Sequence, residues 1–120
     1  MFFKKNKPIK TESEWESIVL WSPDFSERMV AISYISNQDF LAHIATNDNN
    51  ERIRLAATCQ LNDQQALARI ATQDVSAYVR LVAIIRLQDE DLLRQAISSE
   101  HDDVVLAFAQ AHLSKLLSAK

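Results

Sequence analysis

Apolar residues in this chain return in columns 26 positions apart: Ala31, Ala57, Ala83 and Ala109 form one, and Ile35, Leu61, Leu87 and Leu113 another. Trp15, Leu41, Leu67 and Leu93 form a third, while Thr11, Asn37, Asp63 and Asp89 form a polar fourth. The stretch "AHIATND" (42–48) falls directly on "ARIATQD" (68–74). A fixed period of this length marks a stacked array, in which no single unit can bury its own apolar face. The period divides the chain into units at 11–36, 37–62, 63–88 and 89–118, preceded by a segment 1–10.

Each unit carries the pattern of two helices. The polar column begins the shorter one, because Thr, Asn and Asp accept hydrogen bonds from the free amides of a first helical turn. Thr11 with Glu14 has the spacing of a capping box. Leu41, Ile44 and Ala45, then Leu67, Ile70 and Ala71, then Leu93, Ala96 and Ile97 follow at helical intervals, with Trp15, Ile18 and Val19 in the first unit. Gln38, Asp39, His43 and Thr46 sit opposite, so this helix has one solvated side.

The core stripe expected of the longer helix is Val30, Ala31 and Ile35; Ile53, Ala56, Ala57 and Leu61; Val79, Val82, Ala83 and Leu87; Val105, Phe108, Ala109 and Leu113. Its all-alanine column suits a close approach of two backbones. Positions off this stripe are also apolar: Met29, Leu55 and Leu81 in one column, Ile32 and Ile84 in a second, Ile85 in a third. A helix apolar most of the way round is normally buried on more than one side, which assigns the longer helices to an inner layer. Connections of two to four residues leave room only for antiparallel neighbours.

Composition sharpens this picture. Glycine is absent and proline occurs twice, which argues against tight hairpins and an all-β fold. The single cysteine, Cys59, has no partner for an internal disulfide, and no stretch approaches the ~20 apolar residues of a membrane span. The start "MFFKKNKPIK" lacks the apolar core of a signal peptide, so a cytoplasmic location is expected. Lys4, Lys5, Lys7 and Lys10 place four of the 13 cationic residues in the first ten positions, leaving nine against 16 carboxylates in the body. An acidic body suits a phosphate backbone badly, which argues against nucleic acid as the partner.

The stretches "LAHIATNDNNERIRLAATCQL" (41–61) and "LARIATQDVSAYVRLVAIIRL" (67–87) resemble the HEAT-repeat superfamily, particularly its short bacterial variants. The family motif is a leucine-rich first helix, an aspartate, then a Val/Ile-Arg pair opening the second helix. Here Asp48 precedes Arg54 by six residues, as Asp74 precedes Arg80. The resemblance covers about residues 11–118. It implies an all-α fold, a right-handed α-α superhelix (solenoid) of four HEAT-like helix pairs, with Asp48, Arg54, Asp74 and Arg80 forming a structural ladder. The end units depart from the motif, with Ser22 before Arg28 and Glu100 before Leu106. Families built from related repeats include scaffolds, bilin lyase subunits and alkylpurine DNA glycosylases, so the resemblance leaves the activity open.

The residues themselves offer little catalytic chemistry. His43, His101 and His112 have no metal-ligand spacing, and neither metal nor cofactor is expected. His101-Asp102-Asp103 and Asp89-Glu90-Asp91 fit helix starts, where carboxylates are favoured. Cys59 shares a column with Ser33, Ile85 and Ala111, which suggests a small, half-buried residue. Trp21 is expected to cover an end of the stack, with Phe2 and Phe3. What remains is the set of apolar outer columns: Met29, Ile32, Leu55, Leu81, Ile84 and Ile85. Exposed together, they would mark a groove for a protein or peptide, or a self-association face. The expected function is a non-enzymatic protein-interaction module or scaffold. The alternative is a lyase-like or DNA-glycosylase-like enzyme, or enzyme subunit, on the same framework.

Overall fold

A computed structural model describes residues 10–120 of the chain; the basic segment 1–10, apart from Lys10, and with it Phe2 and Phe3, lies outside the described residues. Among the described residues there are eight α-helices and no strand: α1 (Glu12–Trp21), α2 (Phe25–Ile32), α3 (Gln38–Asn47), α4 (Glu51–Gln60), α5 (Gln64–Gln73), α6 (Ala77–Arg86), α7 (Glu90–Ser99) and α8 (Asp103–Ser118). They fall into two units, one ending at Ser36 and the other Asn37–Lys120.

Side-chain caps explain where the helices start. Thr11, Asn37, Asp63 and Asp89 are the N-caps of α1, α3, α5 and α7, each accepting from a first-turn amide, and Thr11 with Glu14 closes a full capping box. A second column does the same for α2, α4, α6 and α8: Asp24, Asn50, Ser76 and Asp102. Two residues before each of these caps, the side chain of Ser22, Asp48, Asp74 or Glu100 accepts from the cap residue's own amide. Every three-residue turn into a second helix is therefore closed twice by side chains. Helix ends need no left-handed residue either, since Ser22, Asp48, Asp74, Glu100, Leu61 and Leu87 leave the helix with extended backbone. A chain without glycine can terminate helices in this way.

In the first unit α1 packs on α2, with Val19, Ala31, Ile32 and Ile35 buried. Trp15 is half-buried, stacked on Tyr34 with ring centroids 4.5 Å apart, and the Lys10 ammonium lies over its indole. Trp21 is exposed at 78%.

In the second unit α3, α5 and α7 form one layer and α4, α6 and α8 the other, with α3 on α4, α5 on α6 and α7 on α8. Leu41, Leu67 and Leu93 are buried on one side of this double layer and Ile53, Val79 and Val105 on the other, with Ala57, Ala83 and Ala109 completely enclosed. Fully burying each of these Leu, Ile and Val side chains contributes about 1.5–3 kcal/mol.

One period-spaced column binds successive turns together. Gln38 and Gln64 open α3 and α5. The side-chain oxygen of Gln38 accepts from the amides of Asn62 and Asp63, and that of Gln64 from Gln88 (2.7 Å) and Asp89 (3.0 Å). Their side-chain nitrogens donate to the carbonyls of Gln60 and Arg86. Glu12 plays this part within the first unit, taking the amide and hydroxyl of Ser36. At the fourth position of the column Glu90 pairs with Lys120 and Arg94 instead. Those two hydrogen-bonded cations, Lys120 first, hold its carboxyl below the usual range.

Replacing Gln64 by Ala should leave two backbone amides without their acceptor. Hydrogen exchange at Gln88 and Asp89 is expected to speed up about tenfold, corresponding to about 1.4 kcal/mol of lost hydrogen bonding. Unchanged exchange at both amides would mean that the bracket carries no load.

Candidate functional site: the outer face of the second-helix layer

The roll of each second helix decides which apolar residues reach the surface, and an arginine sets that roll. The Arg80 side chain is buried within the second unit, the whole residue being only 6% exposed. Its Nε and Nη2 donate to the two carboxylate oxygens of Glu100, both at 3.0 Å, while Nη1 donates to the Asp74 carbonyl at 2.9 Å. Arg54 repeats the arrangement: Nε and Nη2 reach the two oxygens of Asp74 at 2.9 and 3.2 Å, and Nη1 donates to the Asp48 carbonyl. Each guanidinium thus ties the C-terminus of its own preceding helix to the carboxylate 20 residues further on. Bidentate pairs of this kind fix geometry as well as charge. In the first unit Arg28 Nε donates to the Val19 carbonyl at 2.6 Å.

Electrostatics follow from these contacts. The hydrogen bond it donates to Asp74 raises the Arg54 guanidinium above its ordinary value, and that donated to Glu100 does the same for Arg80. For Glu100 burial opposes ionisation, but the Arg80 hydrogen bond, the Asp102 amide and the charges of Arg80 and His101 outweigh it and hold the carboxyl below 4.5. All three donor nitrogens of both clamps are engaged, so the arginine column does not present a row of open anion sites. A cleft of about 330 Å³ beside the second clamp, lined by Thr72, Gln73, Ser99 and His101, opens onto a pair already satisfied.

Burial of Arg80 turns its helical neighbours and corrects the expected stripe. Ile84, offered as a partner-binding residue, is 0% exposed and belongs to the core, as does Ile32. Met29, Leu55 and Leu81 are half-buried, and Ile85 alone of the six is exposed. Conversely Val30 and Phe108, assigned to the core by periodicity, lie outside it, Phe108 at 54% exposure. Thr58 is fully buried, its hydroxyl donating to the Arg54 carbonyl, and Cys59, expected half-buried, is exposed. The buried stripe of α6 therefore runs Val79, Arg80, Ala83, Ile84, with polar members that hydrophobic periodicity overlooks.

The face this leaves outward on α6 and α8 carries large apolar side chains. Tyr78 (71% exposed) and Val104 share one column of the 26-residue period, Ile85 and Ala111 another, and Phe108 follows Val104 by one helical turn. Between α6 and the end of α8 the surface dips into a groove of about 960 Å³ that includes Ile85, Phe108, His112, Lys115 and Leu116. His112 Nε2 lies 2.7 Å from the Leu87 carbonyl; a carbonyl only accepts, so this nitrogen carries the proton. Arg86, one period earlier, reaches back in the same sense to the Leu61 carbonyl. His43 contacts Asn47, and no group of three His, Cys, Asp or Glu among the described residues is placed to hold a metal ion. No helix among them is long and apolar enough to cross a membrane.

Comparison with protein-family models, curated proteins and solved structures found no match to this chain. The functional reading therefore rests on the face itself.

Two outcomes test this arrangement. Ile84→Ser is expected to cost about 2–5 kcal/mol in urea denaturation, whereas Tyr78→Ser should stay within about 0.5 kcal/mol. Equal costs would refute the assigned roll of α6. Breaking the buried clamp with Arg80→Ala should cost about 3–5 kcal/mol, because it strands a buried carboxylate. Since the native value of Glu100 lies below 4.5, the clamp's contribution is complete above that pH and is lost as pH falls through the native value. Glu100→Gln should accordingly melt lower at pH 7 but lose less on acidification through that window. Parallel melting curves for the two proteins would show that the pair does not titrate with folding.

Proposed function

We propose that this chain is a non-enzymatic protein-interaction module that binds a protein or peptide partner through the outward face of α6 and α8. The observation that carries the reading is the run of exposed large apolar side chains, Tyr78, Ile85, Val104 and Phe108, on one layer of the second unit. Contiguous patches of this kind on a folded domain mark interaction surfaces far more often than scattered apolar residues do. Helices α4, α6 and α8 have neighbours within their layer and a covering layer on one side only, so this face is left for something else to cover.

In this proposal the chain is a HEAT-like α-α solenoid of four helix pairs, wound right-handedly, in which the arginine and glutamine columns join successive pairs. The clamps Arg54–Asp74 and Arg80–Glu100 support it, because they recur at the same period as the apolar columns. A cytoplasmic setting belongs to the same proposal, as does the absence of catalytic chemistry. The three histidines have different surroundings, His43 against Asn47, His101 at the cleft beside the second clamp and His112 on the Leu87 carbonyl, and the buried carboxylates of the clamps are committed to arginine.

A comparative pull-down tests the binding role. The Tyr78→Ser/Val104→Ser variant should keep the melting temperature of the parent chain, since both side chains are exposed. A partner captured by the parent should bind the variant at least about 30-fold more weakly, the loss expected when an anchor worth about 2 kcal/mol is removed. Equal affinity for parent and variant would discard this face as the site.

A further inference from the structure

We propose that the groove between α6 and the C-terminal half of α8 docks an apolar protein segment bearing carboxylates, with Ile85, Phe108 and Leu116 as the apolar wall and Lys115 as the charge reader. This rests on the chain being a binding module and adds what that module selects. Lys115 is the one permanently charged side chain lining the groove, and no carboxylate lines it. Its ammonium is exposed and makes no ion pair among the described residues. Arg86, next to Ile85 in sequence but outside the groove lining, donates to neutral acceptors, the Leu61 carbonyl and the Asn62 side chain. The chain carries 16 acidic against 13 basic residues, but none of the acidic ones lines the groove.

The groove holds about 960 Å³ and is open on one side, so its occupant must bring a second wall. A helical or extended peptide does so with its own backbone, whereas a lone acyl chain would stay half in water. Charge excludes the chain's own first ten residues, whose four lysines would be set against Lys115. Two copies joined groove to groove would likewise bring like charges into a single two-fold interface. An acidic, apolar segment has neither fault: its anchors fill the groove while its carboxylates approach Lys115, which steers encounter.

Display selection of random 16-residue peptides on the full chain, run beside Lys115→Glu and Phe108→Ser, tests the proposal. Peptides enriched on the parent chain should combine aromatic or aliphatic anchors with an excess of Asp and Glu. Titration of the strongest peptide should show at least tenfold weaker binding to Lys115→Glu, on which selection should turn toward Lys and Arg, and no measurable binding to Phe108→Ser. Ile85→Ala replaces Phe108→Ser if the latter lowers the melting temperature. Enriched peptides without acidic bias, or indifferent to both substitutions, would overturn the groove while leaving the binding module standing. A library yielding nothing on the parent chain would overturn both. A dimer in sedimentation velocity that Phe108→Ser dissociates would assign the groove to a second copy and overturn the peptide.

Discussion

A guanidinium held between two turns is the constraint on which the second unit depends. Arg54 and Arg80 lie inside the layered helices, each bidentate to a carboxylate 20 residues ahead and bonded to the carbonyl that ends the preceding helix. A buried ion pair is weak evidence for net stability, because desolvation offsets much of its attraction. Its effect here is geometric. Once Arg80 must point inward, Ala83 and Ile84 follow it, and Tyr78, Val82 and Ile85 turn away, since positions two residues before, two after and five after lie on the other side of the helix. The clamp and the exposed apolar face are two consequences of one helical roll.

The glutamine column performs the complementary task at the other end of the helices. Gln38 and Gln64 sit at first-turn positions, where their backbone amides need no helical partner, and their side chains bridge to the turn that starts the next first helix. Helices α4 and α6 are thereby fixed at their N-terminal ends by arginine and beyond their C-terminal ends by glutamine. Neutral amides suit the second place: one side-chain oxygen takes two backbone donors and one nitrogen answers a backbone carbonyl, with no charge to desolvate. Glu90, whose equivalent positions 24 and 25 residues on lie within α8 and not in a turn, pairs with cations instead.

Much of this framework was legible in the chain. The eight helices and the first-helix caps follow from columns whose chemistry holds at each recurrence. The rest was hidden for specific reasons. Asp74 and Arg80 stand six residues apart, a spacing that draws attention to their own turn, yet the partner of Arg80 is Glu100. Glu100 looked like a break in the ladder because it replaces the aspartate and precedes Leu106 where the motif has arginine; its extra methylene still delivers both oxygens to the Arg80 guanidinium. The columns of Gln38 and of Asn50 were concealed by being polar, and polar residues on a helix surface are ordinary. The candidate face suffered most. Counting apolar residues alone placed the stripe toward Val82 and Phe108, because such a count gives no weight to Arg80 and Thr58, both of which are buried. A wheel centred on the wrong side puts Ile84 at the surface and Phe108 in the core. Ile85, diametrically distant from the true stripe, was assigned outward under either choice.

The rigidity of the turns bears on what such a face can do. With no glycine in the chain and each second-helix start closed by a cap and a preceding side chain, the turns have little freedom to let α6 or α8 roll and hide Tyr78 or Phe108. Exposed apolar side chains on a loose element would fold back on the body; on a clamped one they stay presented. A surface held open in this way loses little further conformational freedom when covered, so more of the contact energy appears as affinity. The same order that costs the second unit a buried charge at Arg80 is what lets four large apolar side chains remain in water without collapsing the layer beneath them.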